Sequence, residues 1–107
     1  MQISDLQTMV KNWEKSRFPG APSVLSLVKI QEELGELSAH YIKRLEQRVG
    51  GKVEDHQAGV EDSVADVLIS LCVFCSRENL DLDRLTQKAW NEVSKRKFVF
   101  TPEGKKQ

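Results

Sequence analysis

The chain has 107 residues, of which 39% are hydrophobic and 30% charged, with 16 basic residues balanced by 16 acidic ones. That length suits one domain, and that composition belongs to a packed globular chain rather than a disordered one. A net charge of zero supplies no broad positive field, which argues against a general nucleic-acid-binding role and leaves association through apolar surface unopposed.

Breaks are few. Proline occurs only at 19, 22 and 102, and the only glycine pair is Gly50-Gly51. The spacing of apolar residues between them predicts four helices and no strands, since period-two alternation is nowhere sustained. The first helix is expected over Ile3 to Ser16, with Ile3, Leu6, Val10 and Trp13 at three- and four-residue steps. Phe18-Pro-Gly-Ala-Pro22 ends it. The second is expected over Ser23 to Arg48, with Leu27, Ile30, Leu34, Leu37, Tyr41 and Leu45 in one stripe, and with Lys43, Arg44 and Arg48 near the negative end of its dipole. Gly50-Gly51 stops it, and Lys52 to Gly59 reads as a polar connector.

The third helix is expected over Val60 to Glu78 and carries two apolar stripes. Val60, Val64, Val67, Leu68, Leu71 and Cys75 form one; Ile69 and Val73 lie nearly opposite. A helix apolar all round must be buried all round, which so short a bundle cannot do alone. The expected architecture is therefore an all-α four-helix bundle completed by association into a homodimer or homotetramer. Asp81 is placed to cap the fourth helix, which continues to about Lys97 through Leu82, Leu85, Ala89, Trp90 and Val93. Residues 98–107 read as a tail on a single domain whose core is about 3–97.

Cys72 and Cys75 are the only cysteines. Two thiols cannot build a tetrahedral zinc site alone, so they read as buried packing residues. Met1-Gln-Ile-Ser-Asp lacks the basic and apolar regions of a secretory leader. Val64 to Cys75 is too short to span a bilayer and contains Asp66 and Ser70. A cytoplasmic location is expected, with neither a membrane nor a nucleic-acid polymer as partner.

The carboxylates carry the chemistry. On the second helix Glu33 and Glu36 lie about 60° apart, at the border of the apolar stripe, with Glu32 turned further outward. Like charges this close repel unless a cation lies between them. On the third helix Asp62 and Asp66 are four apart and share the face that continues into Ile69 and Val73. Glutamate pairs on helices usually face solvent, but solvation does not explain Asp66 inside an apolar run. Two helices each offering two carboxylates from a core-edge face can build an oxygen-rich metal site, which favours Mg²⁺ or Mn²⁺ over zinc.

These residues resemble the MazG-type all-α nucleoside triphosphate pyrophosphohydrolases, whose signature is Glu-x-x-Glu on one helix and Glu-x-x-Asp on the next. Lys29-Ile-Gln-Glu-Glu-Leu-Gly-Glu-Leu37 resembles the first half and Asp66-Val-Leu-Ile-Ser-Leu the second. Asn79-Leu-Asp-Leu-Asp83 and Ala89-Trp-Asn-Glu-Val-Ser-Lys-Arg96 continue the likeness, which covers roughly residues 24 to 97. One position departs from the signature: Ser63 stands where the family has Glu. Asp62, one residue earlier, shares the Asp66 face better and resembles a variant of compact members.

The resemblance implies cleavage between the α and β phosphates of a nucleoside or deoxynucleoside triphosphate, as nucleotide-pool house-cleaning. The expected Mg²⁺ ligands are Glu33, Glu36, Asp62 and Asp66, with Glu32 or Glu33 orienting or deprotonating the attacking water. Lys29, Lys88, Asn91, Lys95 and Arg96 are candidate phosphate donors, Arg96 foremost for its forked guanidinium. Trp13 is a candidate for stacking on the base, with Trp90, Phe18 and His40 behind it. His40 and His56 otherwise read as surface residues. Two alternatives stay open: a phosphoribosyl-ATP pyrophosphatase, and a non-catalytic helical oligomerisation or regulatory module, which Ser63 favours.

Overall fold

The structure, a computed structural model, describes residues 1–46, 53–97 and 99–102, with the side chains of 53–55 excepted. Among these residues the secondary structure is α1 (Ile3–Arg17), α2 (Ser23–Glu46), α3 (Val53–Arg77) and α4 (Leu82–Val93), with no strand. The all-helical reading therefore holds. The expected stop at Gly50-Gly51, Arg48 at the end of the second helix, and residues 98 and 103–107 of the tail lie outside the described residues. No helix among the described residues is long and apolar enough to cross a membrane.

Local chemistry accounts for most helix ends. The backbone N–H of Gln2 donates to the Asp5 carboxylate at 2.9 Å, which secures the start of α1. The backbone N–H of Phe18 closes its last turn onto Glu14 O at 2.8 Å, and Gly20, at φ 74°, turns the chain toward α2. Asn79 sits at φ 55° after α3, and Leu80 N–H reaches back to Cys75 O at 2.9 Å, as in a left-handed helix stop. Asp81 caps α4 as expected, accepting from Arg84 N–H at 3.2 Å. α4 ends at Val93, four residues short of Lys97, in a turn at Ser94 and Lys95.

The third helix corrects the connector. It begins at Val53, so the stretch expected to be a loop up to Gly59 is helical from Val53 onward. Gly59 reads as a break in sequence, but it lies inside the helix. The His40 imidazole of α2 fills the space a side chain there would take. Glycine at this position permits close helix packing rather than a turn.

α2 and α3 form an antiparallel pair over nearly their whole lengths, and α1 lies across α3. Ser23 Oγ donates to Glu78 at 2.8 Å at one end, and Arg44 donates to Gln57 at the other. On α2, apart from half-buried Lys43, the buried and half-buried positions are Ser23, Ser26, Ile30, Glu33, Leu37, His40 and Arg44. These alternate by four and three, the spacing of a helix-pair seam. The seam takes only Ile30 and Leu37 from the expected apolar stripe. Leu27, Leu34, Tyr41 and Leu45 stay at least 44% exposed, as do Val64 and Val28.

The buried core is small: Val10, Cys72, Cys75 and Leu82, flanked by Ile3, Leu6, Leu71, Val73 and Phe74. Both cysteines are buried and free, as expected. Burial pushes both thiols up, and the neighbouring Cys75 raises Cys72 further. Gln7 joins α1 to the start of α4, donating to Leu80 O at 2.6 Å and accepting from Leu82 N–H at 3.0 Å. The radius of gyration is 17.6 Å, against about 13 Å for a compact chain of this length.

Candidate functional site

The helix-pair seam is unusual for its polar residues. Ser26, Glu33 and His40 recur at seven-residue steps on α2, and Ser63, Ser70 and Arg77 do so on α3. A seven-residue repeat keeps one face of a helix toward its partner. Positions that would hold leucine in a structural pair hold hydroxyls and charge here. Ser26, Glu33, Ser63 and Ser70 are all at most 9% exposed.

Glu33 is the centre of this arrangement. It is 5% exposed, and its Oε2 has no hydrogen-bond partner. Oligomerisation aside, a buried charged acceptor left unmet costs free energy and calls for a cation. Glu32, Glu33 and Glu36 can bring one carboxylate oxygen each within 4.8 Å of one another. Lys29 Nζ lies 3.1 Å from both Glu32 Oε1 and Glu33 Oε1. The bond to Glu33, then that to Glu32, pushes the Lys29 ammonium upward from its ordinary range. The lysine thus holds one cationic position beside the three carboxylates while Glu33 Oε2 stays unpaired.

This chemistry fits a hard divalent cation: all donors are carboxylate oxygens, and one oxygen of the most buried carboxylate, Glu33 Oε2, has no partner although Lys29 meets the other. Glu33 and Glu36, two of the four expected ligands, lie in this group together with Glu32. Asp62 and Asp66 fall outside that compact group. Asp66 is exposed, yet it lines the same cavity as Glu33, while Asp62 is exposed and lines no described cavity. The α2–α3 register brings buried Ser63 to the level of residues 36–38. The inward position that Glu occupies in the resembled signature is therefore a serine here, and Asp62 is turned away from it.

Beside the carboxylates opens a cavity of about 480 Å³ between α1, α2 and α3. Lys29, Glu33 and Asp66 line one end. Trp13 and Phe18 line the other, in an edge-to-face pair with centroids 5.4 Å apart and planes at 74°. Ile69 and Val73, the second apolar stripe of α3, form part of its wall. They face a cavity, which is why that stripe looked surplus to a simple bundle.

At the aromatic end lies an ion pair that the sequence reading missed. Arg77 Nε donates to Glu14 Oε1 at 2.6 Å, and Arg77 Nη1 donates to Pro22 O at 3.1 Å. The two side chains are 12% and 7% exposed. The available signal was the seven-residue spacing of Ser63, Ser70 and Arg77, which marks Arg77 as a seam position.

Trp13 and Lys29 are thus brought to the cavity. Lys88, Asn91, Lys95 and Arg96 are not: they are exposed, on or just after α4, which packs mainly against α1. Trp90 is 63% exposed and lines no described cavity. His40 and His56 are a correction. Both are half-buried, with His40 Nδ1 and His56 Nε2 enclosed and unpartnered. His40 is drawn inward because Gly59 leaves room for its ring.

No family model matches this chain, and neither a curated protein nor a solved structure matches it.

Proposed function

We propose that the chain is a Mg²⁺-dependent nucleoside triphosphate pyrophosphohydrolase of MazG-like type, releasing a monophosphate and pyrophosphate in nucleotide-pool house-cleaning. The observation that carries this reading is Glu33: a buried carboxylate with an unmet oxygen, grouped with Glu32 and Glu36, at the mouth of a cavity whose far end is aromatic. The carboxylate end suits a metal–phosphate group and the Trp13–Phe18 end suits a base, so one cavity accommodates both parts of a nucleotide.

Glu33 and Glu36 would hold the metal, with Glu32 beside them and Asp66 across the cavity. A Mg²⁺ held by these carboxylates would supply charge neutralisation for the phosphates and would acidify water at the site. Glu32, the more exposed member of the group, can orient that water or take its proton. Lys29 is within reach of the same carboxylates and can turn to a phosphate oxygen when a metal takes its place.

The test is a screen of common and modified ribo- and deoxyribonucleoside triphosphates for pyrophosphate release, with Mg²⁺ and with Mn²⁺. Turnover of at least one substrate, abolished by Glu36→Gln and by Asp66→Asn, is expected. No turnover across the screen refutes the proposal.

The uncovered apolar residues Leu27, Leu34, Tyr41, Val64 and Leu68 support a homo-oligomer as the working form. One observation favours a non-catalytic helical module instead: buried Ser63 takes the inward place, and Asp62 does not replace it. That reading expects no Mg²⁺-dependent thermal shift, with or without a non-hydrolysable triphosphate.

A further inference from the structure

The Glu14–Arg77 pair ties α1 to α3, yet a tie of that kind needs no cavity. Both residues line the aromatic end of the 480 Å³ space. Their hydrogen bonding is also incomplete. Glu14 Oε1 is taken by Arg77 Nε, while Glu14 Oε2 accepts from none of the described residues. Arg77 spends Nε on Glu14 and one Nη1 hydrogen on Pro22 O, and a guanidinium carries five N–H donors. The pair therefore offers an acceptor and donors side by side, in the cavity that Trp13 also lines.

An adjacent acceptor and donor beside an aromatic ring matches the edge of a nucleobase, which carries an N–H next to a carbonyl oxygen or ring nitrogen. The position is also right. Asp66 and Arg77 are eleven residues apart on one helix, a rise of about 16 Å. That length takes a base, a sugar and the first phosphate in line between the aromatic and carboxylate ends.

We propose that Glu14 and Arg77 read the hydrogen-bonding edge of the base, Glu14 accepting its N–H and Arg77 donating to the neighbouring acceptor. This rests on the nucleotide reading of the cavity but not on catalysis. It makes both residues determinants of specificity, acting on a base stacked against Trp13. A base lacking the N–H forgoes a hydrogen bond to a charged acceptor, so it is disfavoured about tenfold or more.

The experiment uses the full chain carrying Trp90→Phe, so that Trp13 is the one fluorophore of its kind. Nucleosides without phosphates are titrated in pairs that differ by one amino group: adenosine against purine riboside, and cytidine against 2-pyrimidinone riboside. Trp13 quenching is expected, with the amino-bearing member of at least one pair binding about tenfold tighter or more. Glu14→Gln should shrink that ratio to within about threefold while leaving the affinity of the amino-free member unchanged.

Equal affinity within both pairs overturns the proposal, as does the absence of quenching by any nucleoside at millimolar concentration. Equal weakening of both members by Glu14→Gln marks the pair as a structural tie and also overturns it. Should Glu14→Gln not fold, the nucleoside pairs on the unaltered acid decide. Hydrolysis of purine riboside triphosphate as fast as ATP would leave the hydrolase reading standing and sink this one. Discrimination without hydrolysis would do the reverse.

Discussion

Replacing Glu33 by glutamine should separate what this residue costs the fold from what it contributes to the site. Its side chain keeps nearly the same volume and loses the charge. Glu33 is 5% exposed, and Oε2 has no partner; a charged acceptor left unmet costs about 1–3 kcal/mol. Oε1 meets Lys29 at 3.1 Å, but the Lys29 side chain is 52% exposed, so that ion pair contributes at most about 1 kcal/mol. The balance favours the neutral side chain. In EDTA, Glu33→Gln is expected to be more stable than the parent by about 1 kcal/mol, or about 4–8 °C in Tm for a domain of this size. With Mg²⁺ a hundredfold above Kd the parent should gain about 2.7 kcal/mol and the variant should gain none. Thermal and urea melts of both proteins, with EDTA and with Mg²⁺, read these differences. A variant less stable than the parent in EDTA, yet equally stabilised by Mg²⁺, would refute the reasoning.

Other expectations follow from single contacts. Gly59→Ala should destabilise by about 1 kcal/mol, because a Cβ meets the His40 ring and overpacking outweighs the helix propensity gained. In a His40→Ala background the same change should stabilise by about as much, read by urea denaturation. Cys72 and Cys75 are buried with their thiols pushed upward; at pH 8 iodoacetamide should label them far more slowly in the native protein than in urea. Leu34→Asp combined with Leu68→Asp, both at exposed apolar positions, should reduce the light-scattering mass to the 12.2 kDa protomer if those faces join copies. An unchanged mass would place the association surface elsewhere.

Much of this was legible in the chain itself. Apolar spacing marks all four helices, because a helical face must recur every three or four residues whatever it packs against. Prolines 19 and 22 and Asp81 mark their turns and cap for equally local reasons. Glu33 and Glu36 stand out because two carboxylates one turn apart at the edge of an apolar stripe repel one another, and Cys72 and Cys75 because free thiols in an apolar run are buried.

What the sequence could not decide was which of several neighbouring stripes would face the partner helix. Leu27, Leu34 and Tyr41 are as periodic as the seam Ser26–Glu33–His40, and composition ranks them above it. Packing reversed that order, since α2 turns its polar seven-residue series toward α3 and leaves the leucines outside. Gly59 could be a break or a close approach until the His40 ring was seen against it. Glu14 and Arg77 are 63 residues apart, so only the crossing of α1 over α3 makes them a pair. Local propensity sets where helices form; rotation of each helix about its axis, set by long-range packing, determines which residues share a cavity.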